Sequence, residues 1–555
     1  MKFLLIVPPN ITYDAFRYPS SRSKVWRHEN GLELGVIVTD VPLGALTISS
    51  WLKKKYNAEV KILDFNILIH KTWNHTNSKD FSEWFKDEIN KLDFQPDYIG
   101  FSSLFLTGYL NLLNLGKICR EKFPKSLIMC GGNIATTMYK DVFRDDENVF
   151  DALCYGEGEK PLAELIESKD KQAYLKNSSS WVTREKVSKD TLFKHNFIED
   201  LDEIPKLDYD AIELKDYHQS PTINAYTQIK DTKNYITYMT SRGCPFLCTF
   251  CSAHTVHGRK MRYFSLDRVK KELKDLTQKY NAKTLVIEDD HFMNNKERAL
   301  SILSICRELN LVTAFPNALA LYALDREVLE SLRDTGVTQL TLAVESGSER
   351  VLKNLIKKPL KLGITKRVLN DCYDLNIYTD CNLIVGMPGE TKKDIKDSRE
   401  FLKDVAANWF RINVATPLSG SDMFNEAVKK NQIVGNWKEA GYKSSVIETE
   451  HFSAKEINQV AYELNLELNF VNNTDMQRSN YVRAAESFSN VLKLKKDHPF
   501  AMYYLGICEI KLGNEKKGYG LISKSREIFA KDPEWTKYEK KFNIVNKVYT
   551  TKNIA

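Results

Sequence analysis

Three of the ten cysteines in this chain fall in one short stretch, "SRGCPFLCTFCSAH" at 241–254. Cys244, Cys248 and Cys251 are separated by three residues and then by two. Thiolates this close together are soft ligands for zinc or for an iron–sulfur cluster. Structural zinc takes four protein ligands, commonly as two CxxC pairs, and only one such pair is present here. His254, three residues past Cys251, is the candidate fourth ligand of a Cys3His zinc site. A four-iron cluster normally takes four cysteines; held by three, it leaves one iron open to a substrate or cofactor. The other seven (Cys119, Cys130, Cys154, Cys306, Cys372, Cys381 and Cys508) sit scattered in apolar contexts. They read as core thiols of a protein in a reducing, cytoplasmic compartment.

A second set of candidates lies at the ends of apolar runs in the first 170 residues. "FLLIV" (3–7), "VKILDF" (60–65), "DYIGFSS" (97–103), "SLIMCGGN" and "ALCYGEGE" read as strands. Amphipathic stretches such as 43–56 lie between them. Alternation of this kind predicts a parallel, doubly wound α/β sheet. Ligands bind such sheets beyond the carboxyl ends of the strands. Ser102, Ser103, Gly131, Gly132, Gly156 and Gly158 fall there, where glycine permits close backbone approach to a ligand or simply makes a tight turn.

Residues 1–175 thus read as a Rossmann-like domain and the polar stretch 176–230 as a linker. From Tyr235 the alternation resumes. "YITYMTS" leads into the cysteine loop, and "TLVIEDD", "QLTLAVESGS", "TDCNLIVGMPGE" and "FRINVATPLSGS" each run from a strand into a polar or glycine-rich loop. This predicts a second parallel α/β unit over 231–450, open or barrel-like. Residues 451–555 read as wholly helical. There Pro499 and Pro533, Asn480 and Asn514, and Phe488 and Ile522 each stand 34 residues apart, the period of tetratricopeptide units. Two units are too few to stand alone, so the tail is expected to pack on the barrel or on a protein partner; Trp535, Tyr538 and Phe542 offer an apolar face for it.

The 555 residues suffice for two to four domains. Hydrophobic content of 43% and aromatic content of 11% are ordinary for a globular protein. A net charge of +7, from 80 basic and 73 acidic residues, does not call for a nucleic-acid partner. No apolar run approaches a membrane span, and "MKFLLIVPPN" reads as a buried strand rather than a signal peptide.

At Cys244-x3-Cys248-x2-Cys251, with the aromatic Phe250 before the last cysteine, the sequence resembles the radical SAM superfamily. "VIEDDHFMNN" (286–295), "AVESGS" (343–348), "LIVGMPGET" (383–391) and "ATPLSGSDMF" (415–424) resemble further family segments in the right order. "PLGALTISSWL", "GFSSLFLTGY", "CGGNIATTMYKDVF" and "DALCYGEGEKPLAEL" resemble the cobalamin-binding domain of the cobalamin-dependent subgroup. The likeness spans about 1–430. It lacks the DxHxxG motif that supplies a lower-axial histidine in many cobalamin proteins. The nearest string, "WRHENG", puts Trp26 where Asp should stand, so His28 is not expected to be a ligand.

The resemblance implies three cofactors: a 4Fe–4S cluster on Cys244, Cys248 and Cys251, S-adenosyl-L-methionine (SAM) on the open iron, and cobalamin. Phe250 would pack on the adenine or serve as a core residue. Asp289 and Asp290 would face the methionyl end or cap a helix, and Glu345 would face the ribose, with Ser346 and Gly386 in the same shell. Glu157 joins the cobalamin set through "YGEGE". His254 and Tyr263 would face substrate or be structural. The implied activity is methylation of an unactivated carbon through a 5′-deoxyadenosyl radical and methylcobalamin. Cyclisation, rearrangement or oxidation without methyl transfer fits the same motifs, and a non-catalytic iron–sulfur scaffold is the alternative from another class. The implied partners are a small-molecule, natural-product or lipid substrate and an electron donor such as flavodoxin or ferredoxin.

Overall fold

The computed structural model describes residues 1–19, 25–29, 31–218, 234–439 and 441–544. The N-terminal sheet has six strands: β1 (Lys2–Val7), β2 (Glu59–Asp64), β3 (Tyr98–Ser102), β4 (Leu127–Gly131), β5 (Ala152–Cys154) and β6 (Trp181–Val182). Their spatial order is 2-1-3-4-5-6, with β1 to β5 parallel. The order reverses between β1 and β3, which is the switch point where doubly wound sheets bind ligands. Strand β6 pairs antiparallel with β5, so the sheet continues past residue 175 into the stretch expected to be a linker. Residues 183–218 of that expected linker pack Ile198, Leu201, Ile204, Tyr209 and Tyr217 into a core shared with the following unit, and 219–230 lie outside the described residues.

Local sequence explains the helices that cover these strands. Helix Leu43–Tyr56 starts after Pro42 and stops at Asn57, whose φ of 47° is the left-handed geometry of a helix C-terminus. It buries Ala45 and Leu52 against the sheet and Leu46 and Trp51 on its opposite side. In the second α/β unit, helix Leu266–Tyr280 is capped by the Ser265 side chain and ends at Asn281 in the same left-handed form.

The second unit is an open barrel of six parallel strands: β7 (Tyr235–Tyr238), β8 (Thr284–Ile287), β9 (Val312–Ala314), β10 (Gln339–Glu345), β11 (Tyr378–Val385) and β12 (Trp409–Val414). A parallel bridge between Leu319 and Leu342 joins the two three-stranded halves. Because strand side chains alternate, Leu340, Leu342, Cys381, Leu383, Phe410 and Ile412 turn outward into the main core beneath the helices. That core takes in Leu46, Trp51, Leu201 and Tyr217 as well, so it is shared between barrel and N-terminal half.

The tail closes the barrel's open edge. The Asn469 side chain accepts from the Phe410 N–H at 2.8 Å and donates to its carbonyl at 2.9 Å, satisfying the free side of β12. Asn408 donates to Asp475, and Tyr378 bonds Ser487 at 3.1 Å. Pro499 and Pro533 each open a helix. Gly506 and Gly518 let helix Pro499–Lys511 touch helix Glu515–Lys531: a Cβ on either would lie within 2.7 Å of the other's carbonyl. Trp535 and Tyr538 pack on Tyr462 and His498, inside the tail's own core rather than on the barrel strands. Among the described residues no helix is long and apolar enough to cross a membrane.

Candidate active site between the sheet and the barrel

The cysteine loop is a closed structure. Ser241–Arg242 pairs antiparallel with Arg262–Tyr263, and the loop hangs between them. Gly243, at φ 97°, passes so near Lys260 that a Cβ would sit 2.4 Å from its carbonyl oxygen, so only glycine fits before Cys244. Thr249 donates from its N–H to Ile356 and from its hydroxyl to Leu355, and Met423 donates back to the Thr249 carbonyl. The loop is thereby tied to the turn after β10 and to helix Asp422–Lys429.

All three thiols are free and half-buried. Burial raises each pKa, that of Cys248 to about 11, and Cys251 is among the charges raising the other two. The Asp290 charge bears on Cys244 and Cys251; those of Glu345 and Lys358 bear on Cys248 and Cys251. Among the described residues no three His, Cys, Asp or Glu side chains are placed to hold a single metal ion. Three mutually interacting thiols with a cation beside them suit a larger, cysteine-held cluster instead.

The expected SAM residues divide sharply. Asp289 is spent on structure: it accepts from the Thr240 N–H and hydroxyl and from the Ser241 hydroxyl at 2.5–2.6 Å. Its neighbour Asp290 keeps a buried Oδ2 with no hydrogen-bond partner, the mark of an acceptor awaiting a ligand or water. Glu345 sits on a bulge of β10 at φ 65°, a strained backbone for a non-glycine residue, and pairs with Lys358 at 3.0 Å. Ser346 bonds Ser398 within the protein. Gly386 is glycine because a Cβ would lie 2.6 Å from Ile457. Phe250 packs on the apolar group around Val351, Met387 and Met423. Tyr263 accepts from Asn294 beneath Arg298, and His254 opens a short helix behind the loop.

The cobalamin set divides likewise. Along one face of the N-terminal sheet, out to the carboxyl ends of its strands, lies an open cavity. Phe3, Leu5, Ile48, Met129, Leu162 and Trp181 make it apolar; Gly44, Gly100, Ser102, Gly131, Gly156 and Gly158 are among its lining. At Gly131 a Cβ would meet nothing nearer than 4.0 Å, so its missing side chain is part of the cavity. Gly132, at φ 94°, is required instead by the Ser103 carbonyl, 2.6 Å from any Cβ there, and Gly156 by His195 at 2.5 Å. An apolar slot floored by glycines at a switch point fits a large organic cofactor. His28 bonds the Trp73 carbonyl at 3.1 Å and does not line this cavity.

Sequence reasoning missed the group that joins the two halves. Glu157 faces Arg242 at 3.1 Å, Arg262 at 2.6 Å and His257 at 2.7 Å, and Arg242 also reaches Glu159 at 2.8 Å. Burial pushes the Glu157 carboxyl up, but Arg242, His257 and Arg262 outweigh it and hold the group well below the usual carboxylate range. Glu157 is therefore committed to ion pairs across the domain boundary.

Comparison with known proteins matches the Radical SAM superfamily model over residues 238–402 and the B12 binding domain model over 38–166. The chain carries a radical SAM domain and a B12 binding domain. A cytidylyl-2-hydroxyethylphosphonate methyltransferase of Streptomyces wedmorensis is 28% identical over 70% of this chain and 78% of its own. A hopanoid C-3 methylase of Methylococcus capsulatus is 22% identical over 69% and 68%. In fold the chain matches the cobalamin-dependent SAM radical enzyme OxsB (TM-score 0.57, 15% identity, 100% of this chain and 81% of that one). It also matches the methyltransferase TsrM of Kitasatospora setae, solved with cobalamin and a 4Fe–4S cluster (TM-score 0.55, 12% identity, 96% and 100%). This radical SAM enzyme uses SAM, a 4Fe–4S cluster and cobalamin. The Arg242 of "SRGC" was a legible signal, as a charge beside the first cysteine; Lys358, in the surface-like "LIKKPL", carried none.

Proposed function

We propose that the protein methylates an unactivated carbon of a small-molecule substrate in a reducing cytoplasm, drawing electrons from a flavodoxin- or ferredoxin-like donor. When bound, the cluster and SAM supply a 5′-deoxyadenosyl radical and the corrinoid supplies a methyl carrier. Cys244, Cys248 and Cys251 hold the cluster and leave one iron for SAM. Asp290, with its orphan oxygen, and the Glu345–Lys358 pair bind the polar parts of SAM beside the thiols. Val256 and His257, from the short helix behind the loop, wall the corrinoid cavity.

The observation that supports this best is Arg242. One residue lines the corrinoid cavity and stands two positions before the first cysteine, so the two cofactor sites share a wall. The test is anaerobic turnover with reductant and SAM. Methyl transfer yields both 5′-deoxyadenosine and S-adenosylhomocysteine with a methylated product. Deoxyadenosine without S-adenosylhomocysteine would replace this reading with a cyclase or oxidase, and neither product would leave only a scaffold.

A further inference from the structure

The cysteine loop carries apolar residues on its outside. Leu247 stands directly before Cys248 and is 55% exposed, and Pro245, directly after Cys244, is exposed as well. The thiols beside them are half-buried, so the loop leaves these two side chains in solvent while it partly covers its sulfurs. Phe246, between them, packs on the ring of Tyr322 at 5.5 Å, and Tyr322 is itself 38% exposed. Asp325 and Glu327, just past Tyr322, are both held by Lys296.

The bonds from Thr249 to the Ile356 and Leu355 carbonyls bring a second feature alongside. Residues 349–361 read "ERVLKNLIKKPLK". Arg350 is neutralised there by Asp394 and Lys358 by Glu345. Lys353, Lys357 and Lys361 are exposed and, among the described residues, have no ion pair. Glu349 is the one carboxylate in this stretch. Exposed lysines on other turns of this protein are matched by acids, as Lys393 is by Asp397 and Lys430 by Glu426. Unmatched lysines thus lie beside an apolar projection, next to a residue that holds the cluster.

We propose that this face docks the electron donor, with Leu247 and Tyr322 at its centre and Lys353, Lys357 and Lys361 on its rim, and that the donor is an acidic flavodoxin. This rests on the enzyme reading above and gives its reductant a position. Protein interfaces combine an apolar centre with a charged rim, and complementary rims steer partners together. A flavodoxin offers the matching surface: the apolar, methyl-bearing edge of a flavin set among carboxylates. Electron tunnelling falls off steeply with distance, and contact at Leu247 puts that edge beside Cys248. The transfer makes and breaks no bond: the flavin hydroquinone loses one electron to become the semiquinone, and that electron goes to the cluster.

The test uses the full-length protein with its cluster reconstituted, oxidised flavodoxin as the probe, and titration calorimetry. Wild type should bind the probe, and binding should weaken steeply as salt rises. The double variant Lys353→Glu with Lys357→Glu should bind about tenfold more weakly at low salt. Leu247→Ser should weaken binding while leaving its salt dependence unchanged. The control pair Lys54→Glu with Lys125→Glu makes the same charge change at the amino edge of the N-terminal sheet and should have no effect. The proposal is overturned by absence of binding, by binding indifferent to salt or to the Lys353 and Lys357 reversals, by equal weakening in the control pair, or by preference for a plant-type ferredoxin. SAM cleavage driven by dithionite needs no docking, so it should match wild type in the Lys353 and Lys357 variant while flavodoxin-driven cleavage falls. Its absence in wild type sinks the enzyme reading; its presence, with flavodoxin unaffected by the reversals, sinks only the docking face.

Discussion

Arg242 meets Glu157 at 3.1 Å inside the protein, both residues being less than 10% exposed. One belongs to the strand that feeds the cysteine loop, the other to the turn that follows β5 of the N-terminal sheet. Arg262 adds a second cation to the same carboxylate and stacks on Phe197, 4.2 Å from its ring centre. The charges are desolvated together, so each depends on the others. Such a group adds little net stability over an apolar core, but removing one member strands the rest. Its effect is geometric: it fixes the cysteine loop against the wall of the corrinoid cavity.

Glu157→Gln keeps the shape and removes the charge. It should lower unfolding stability by about 3–5 kcal/mol, read from the denaturant midpoint, because Arg262 is left buried without its carboxylate. Corrinoid retention through gel filtration should fall with it. Unchanged stability would mean that water satisfies these groups and that the clamp is not structural.

Cys248→Ala separates cluster from fold. The thiol is half-buried in a loop whose fastening runs through Thr249 and Gly243, not through the sulfur. Anaerobic wild type should carry about four irons per chain, and the variant should lose the cluster while its melting temperature moves little. Retention of the full iron content would defeat the ligand assignment.

Gly131 and Gly132 are adjacent and should respond in opposite ways. A valine at 131 projects into open cavity, so Gly131→Val should fold normally and release corrinoid. A valine at 132 would collide with the Ser103 carbonyl at a positive φ, so Gly132→Val should lose stability by about 1–3 kcal/mol whether or not corrinoid is present. Equal stabilities for the two would show that the backbone there yields.

Much of this architecture was legible because periodicity is local. The helix over 266–280 and the strand at 3–7 follow from apolar spacing and end signals in their own residues. The cysteine spacing carries its chemistry with it. What stayed hidden depends on distant partners. "EDD" does not say that Asp289 is tied to Thr240 and Ser241 while Asp290 is left with a free oxygen. A glycine looks the same in sequence whether it opens a cavity, as Gly131 does, or avoids Ile457, as Gly386 does. The stretch 176–182 read as a linker since β6 is two residues long and gains its strand character only by pairing with β5.

The tail carries its own pH dependence through His498. This side chain is buried against Phe470 and Trp535, and its Nδ1 accepts from the Ala501 N–H at 3.2 Å to cap helix Pro499–Lys511. Burial lowers its pKa from the ordinary 6.5 to about 4, so the folded tail holds the ring neutral. Between those values the unfolded chain binds the proton and the folded chain does not. Stability is therefore present in full above pH 6.5 and is lost as the pH falls toward 4, by up to about 3 kcal/mol. His498→Asn retains a side-chain acceptor for the cap and does not titrate. Melting curves for the two proteins should run closer to parallel above pH 6.5 and converge as the solution is acidified, the wild type losing more. A variant whose stability falls as steeply as wild type from pH 6.5 to 4 would show that another group drives acid unfolding of the tail.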